Sequence, residues 1–112
     1  MSFNYDRARQ TCHRQIKRFG ANAVAQLQRG TVTRACTAAI LDYKPHEAGL
    51  REVGARRALI AALDCPTPPD HEQDKFIFNG EVFRIVKPPV GPRPAGIVLY
   101  YDCEVIYDSR NV

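Results

Sequence analysis

The sequence predicts a mainly β fold: a small antiparallel β-barrel of five to six strands with an N-terminal α-helix and long loops. Three observations carry this. Apolar residues recur at helical spacing up to Gly20 and at a period of two after it. Asn79-Gly80 lies between two alternating apolar runs, the strongest short signal for a β-hairpin. Proline-rich stretches at 65–70 and 88–96 break the remainder into short pieces.

The first element is the helix. Tyr5, Ala8, Cys12, Ile16 and Phe19 follow steps of three and four and form one apolar stripe. Ser2 or Asn4 can cap the start, Asp6 suits the first turn, and Lys17 and Arg18 suit the last. Gly20 is placed to take the left-handed conformation that ends a helix. Arg7, Arg14, Lys17 and Arg18 lie around the other side as a basic outer face.

A weak strand follows, with Ala23, Ala25 and Leu27 on one face, and Gly30-Thr31 supply a turn. Thr33 to Tyr43 reads as one longer strand, and Lys44 to Gly54 as a loop. Arg56 to Leu63 is ambiguous: its alanines and leucines favour a helix, while its shortness between Gly54 and Pro66 allows a buried strand. The hairpin occupies Lys75 to Val86, and the last strand runs from Ile97 to Tyr107, leaving Asp108 to Val112 as an unpacked tail. The expected organisation is one domain over 1–112, with the helix at 1–20, the barrel at 21–107 and the tail at 108–112.

Length and charge narrow the function. At 112 residues there is room for one ordinary domain. The longest stretch without a charged residue, Phe19 to Gln28, is ten residues, well short of the roughly 20 needed to span a bilayer. The first twenty residues, with five basic groups, do not resemble a secretory signal. The formal charge of +4 sits entirely on residues 1–20, where five basic groups face Asp6 alone, and the remainder is balanced at eleven of each sign. A uniformly basic nucleic-acid-binding domain is not distributed in this way.

The candidate chemistry is sparse. Cys12, Cys36, Cys65 and Cys103 are evenly spread, and none pairs with His13, His46 or His71 at the short spacing of structural zinc sites. Reduced, mostly buried cysteines are expected, with Cys12 in the core and His13 on the surface. Cys65 and His71 share a loop with Asp70 and Glu72, but no nucleophile elbow surrounds them, and a solvated acidic loop is the simpler reading. Phosphate-cradling glycine motifs do not occur. Phe76, Phe78, Phe83, Tyr100 and Tyr101 sit at alternating strand positions, where core packing accounts for most of them. No cofactor is expected, and a binding or assembly module is favoured over an enzyme.

The order of a basic helix, AAILDYKPHE, GARRALIAAL, a Pro/Asp spacer, DKFIFNGEVFRIVK and LYYDCEVI resembles the small head-completion, or stopper, proteins that join head to tail in long-tailed bacteriophages. The resemblance covers roughly residues 1–107 and rests on Leu41-Asp42-Tyr43, Arg56-Arg57, the FNGEVFRIV hairpin and Leu99-Tyr100-Tyr101. It implies a homo-oligomeric ring, typically of six copies, in the neck of a virion. The ring would lie between the portal-adaptor ring and the tail terminator, retain packaged DNA and offer the tail its docking surface. It implies that Lys44, His46, Glu47, Arg51 and Glu52 are candidates for a channel-side loop. Arg7, Arg14, Lys17, Arg18, Arg56 and Arg57 become candidates for contacts between subunits or, without sequence preference, with DNA phosphates. It also assigns Arg56 to Leu63 to a strand. The alternative is a small nucleic-acid-binding β-barrel that uses the same basic helix.

Overall fold

The computed structural model describes residues 5–21, 23–43, 54–93 and 96–108. Helix α1 (Tyr5–Phe19) precedes seven strands: β1 (Ala25–Arg29), β2 (Val32–Cys36), β3 (Ala38–Leu41), β4 (Arg56–Ala61), β5 (Asp74–Phe78), β6 (Glu81–Ile85) and β7 (Tyr100–Tyr107). All pairs are antiparallel, in the order β2-β1-β5-β6-β7-β4-β3. The mainly β class with one N-terminal helix is therefore as expected, with seven strands in place of five to six.

The extra strand arises at Thr37. The stretch expected to be one strand from Thr33 to Tyr43 is divided there, so that its first half pairs with β1 and its second with β4. β2 and β3 are consequently the outermost strands of the sheet, yet Thr37 alone separates them in the chain. Across two peptide units their ends lie no more than about 7.6 Å apart. The sheet must curl until its two margins meet at this residue. They do not pair with each other, so the hydrogen-bonded ladder stays open and the expected barrel is not confirmed. The Thr37 carbonyl instead accepts from Ala61 N at 2.9 Å, lengthening the β3–β4 ladder.

Alternation along the strands creates two cores. Inside the curl, Leu27, Ala38, Ala58, Ile60, Phe76, Phe83, Ile85, Tyr101, Cys103 and Val105 form the main cluster. On the opposite face Ala39 and Ala61, flanked by Leu59 and Tyr100, receive Ile16 from α1. β4 is thus apolar on both faces because it is covered on both. That tertiary burial overrides its helix propensity.

The hairpin is as read: Asn79 and Gly80 have φ of 52° and 84°, both positive as a type I′ turn requires. Asn79 also ties the turn to the start of β1, donating from its backbone to Val24 O and accepting from Val24 N on its side chain.

Four boundaries differ from expectation. β4 ends at Ala61, and Ala62 N adds one more bond in the same β4–β7 register, to Leu99 O. β7 starts at Tyr100 and not at Ile97, since Leu99 N is held by Pro92 O in the preceding loop. The second proline loop is partly ordered against the sheet, where Val90 bridges Asp102. Asp108 is buried and donates to Val82 O, so it belongs to the domain; residues 109–112 lie outside the described set.

The helix differs most. Phe19, expected in the apolar stripe, is 67% exposed, while Ile16 is 4% exposed. The face toward the sheet runs through Arg9, Cys12, His13 and Ile16 to Gly20, because the chain must cross β3 immediately after the helix. Gly20 is not left-handed. That role falls to Ala21, with φ 53°. Gly20 lies against the Ala38 carbonyl, where a Cβ would overlap the oxygen. Gly20→Ala is expected to destabilise by about 1–3 kcal/mol through this overpacking, whereas Ala21→Gly relieves a left-handed alanine and is neutral or stabilising. Thermal unfolding of the two variants checks this. Equal melting temperatures would contradict it.

Candidate functional site

Six basic residues carried the contact expectation, and the fold separates them into two groups. Arg7, Arg14, Lys17 and Arg18 are exposed on the outer face of α1. Arg7, Thr11, Arg14 and Arg18 follow steps of four, three and four, one row along the helix. Thr11, Arg14, Gln15 and Arg18 line a groove there.

Arg56 and Arg57 are engaged within the sheet. Arg56 donates to Asp42 at 2.9 Å in an exposed pair worth little in stability. Arg57 grips Asp102 through Nε at 2.9 Å and a terminal nitrogen at 2.7 Å. The hydrogen bond to Asp102 raises the Arg57 pKa above its ordinary value. Both arginines thus pair with a carboxylate of their own chain, while Arg56 stays exposed.

The channel-side candidates Lys44, His46, Glu47, Arg51 and Glu52 lie outside the described residues.

Two polar clusters escaped the sequence reading. The first closes one end of the main core. Asp74, its side chain fully buried, accepts Arg29 Nε and Nη2 at 2.9 Å each, Arg34 Nη2 at 3.0 Å and Asp70 N at 2.9 Å. Burial acts to raise the Asp74 pKa, but the Arg29 hydrogen bonds, the Asp70 amide and the two guanidinium charges prevail and hold it below the usual carboxylate value. The partners stand directly opposite in register, Arg29 against Asp74. No local motif marks them.

The second cluster joins α1 to the bend at Thr37. His13, expected on the surface, is half-buried, with Nε2 at 3.0 Å from Thr37 Oγ1 and 3.3 Å from Asp64 Oδ2. Thr37 donates its hydroxyl to Asp64 Oδ2 at 2.7 Å, so its oxygen is left to accept from His13 Nε2. Residue types alone would suggest a nucleophile triad. The geometry opposes it, because one ring nitrogen meets both hydroxyl and carboxylate, whereas a triad puts them on opposite nitrogens. The cluster is a clasp. Arg9 adds a bond to Ala62 O at 3.2 Å beside it.

All four cysteines are free thiols, Cys65 and Cys103 buried and Cys12 and Cys36 half-buried. Burial pushes the Cys36 and Cys103 pKa values up to about 12, and raises those of Cys65 and Cys12. Cys65 donates to Thr67 O at 3.3 Å, while His71 stands 3.7 Å from Glu72. Among the described residues no three His, Cys, Asp or Glu side chains gather as a metal site would require, and no helix is long and apolar enough to cross a membrane.

Compared with models of protein families, with curated proteins and with solved structures, the chain matches none.

Proposed function

We propose that this chain is a structural subunit of a tailed-phage neck. It would be a head-completion, or stopper, protein that forms a ring between the portal-adaptor ring and the tail, helps retain packaged DNA and presents the surface on which the tail docks. One observation supports the reading: the segments that bear the resemblance fall on strands of one small sheet that follow one another in the chain. Leu41 ends β3, Arg56-Arg57 open β4, the FNGEVFRIV hairpin is β5–β6, and Tyr100-Tyr101 begin β7. In this role the β3–β4 connection is the channel-side segment and α1 is a contact arm. The work is mechanical and asks for no catalytic group.

Immuno-electron microscopy with antibodies against the chain tests the proposal. Purified tailed particles that carry it are expected to be labelled at the head–tail junction. Label on the capsid or tail tip, or tailed particles that assemble fully without the chain, would overturn it. The nucleic-acid reading draws chiefly on the basic face of α1, since Arg56 and Arg57 each pair with a carboxylate of the chain.

A further inference from the structure

The cations of this fold are mostly consumed by it. Arg9, Arg29, Arg34, Arg56 and Arg57 each donate to a carbonyl or carboxylate within the chain. Arg14, Lys17 and Arg18 are different: they are exposed, and among the described residues they form no ion pair or side-chain hydrogen bond. They crowd into little more than one turn, with Arg14 and Arg18 at the spacing where like charges repel. Beside them Phe19 is 67% exposed at the end of the helix, one turn beyond Gln15 on the same flank. Thr11, Arg14, Gln15 and Arg18 line a groove on this stretch of the helix.

We infer that this end of α1 docks a protein partner whose surface sets carboxylates around an apolar recess, with Phe19 filling the recess and Arg14, Lys17 and Arg18 pairing with its rim. Charge complementarity requires an anionic partner. Phe19 decides which kind. An exposed aromatic flanked by arginines is the composition of a protein interface centre, where a ring fills a pocket and charges surround it. A nucleic-acid backbone gives the ring no recess and rewards a long track of positive charge. Here the cations are bunched, and residues 21–112 carry no surplus to continue the track. The partner's chemistry follows from this face whether or not the chain belongs to a phage neck, and the binding measurement is separate from the particle labelling.

The test is fluorescence anisotropy at physiological ionic strength with the full chain and three probes: a short amphipathic peptide of glutamate and leucine at helical spacing, poly-L-glutamate of equal length, and a random-sequence DNA duplex. The glutamate–leucine peptide is expected to bind tightest. Phe19→Ala and Arg18→Glu should each weaken it by more than about tenfold, and Arg14→Gln, which preserves helix propensity, should weaken it in the same direction. Arg93→Glu, the same charge change at an exposed site elsewhere, should leave it unchanged. Tighter binding of the duplex, indifference to Phe19→Ala, or an equal loss from Arg93→Glu would each overturn the inference.

Discussion

Replacing Phe76 with alanine is expected to remove about 3–5 kcal/mol of stability, a large part of what a domain of this size has. Phe76 is fully buried at the centre of the curl, opposite Leu27 on β1 and Phe83 on β6. Its ring centroid lies 6.2 Å from that of Phe83 and 5.9 Å from that of Phe78. Truncation removes fully buried aromatic surface packed between both neighbouring strands, and the surrounding ladder hydrogen bonds hinder collapse into the space. Phe78→Ala is the control: its ring is half-buried, so a clearly smaller loss is expected, below about 3 kcal/mol. Urea unfolding of both variants measures the difference. Equal losses would mean that the main core does not centre on Phe76.

The second large effect is electrostatic. Asp74→Asn keeps the shape but leaves Arg29 and Arg34 facing a neutral amide. Breaking a buried pair costs about 3–5 kcal/mol, and about 3 is expected here because Arg29 and Arg34 are 39% and 27% exposed. The pH dependence has a definite sign. A carboxylate whose folded pKa is depressed stabilises fully above its unfolded value, about 3.9, and loses that contribution as pH falls through the folded value. The gap between the wild type and Asp74→Asn should therefore be widest at neutral pH and narrow below about pH 4. Unfolding midpoints across that range provide the check. A gap independent of pH would show that the carboxylate's charge contributes nothing.

Both effects sit in parts of the molecule that differ in legibility. Phe76 could be read in advance, since alternation around Asn79-Gly80 places it on the apolar side of a hairpin. Asp74 could not, being one of three acids in a polar stretch, with arginine partners 45 and 40 residues away. The candidate contact residues divide in the same way. An amphipathic helix shows its basic outer face in its own spacing, so Arg14, Lys17 and Arg18 were visible. The engagement of Arg56 and Arg57 depends on what lies next to β4, which no local pattern records. The inner face of α1 was misjudged by about one flank, with Phe19 outside and His13 inside. The apolar stripe is a weak guide when only Ile16 is deeply buried and the rest of the attachment is polar.

The sequence by itself determined the features that a few adjacent residues encode: a helix ending near Gly20, extended segments of period two, and a turn whose positive φ values suit Asn79-Gly80. These follow from backbone sterics and side-chain periodicity, which act locally. Tertiary structure decided the division at Thr37, the open ladder whose margins meet there, the close approach of Gly20 to Ala38, and which acids neutralise which arginines. Those outcomes depend on register between strands distant in the chain. Register is set by how the two cores fill, a property of the whole sheet and of no single segment.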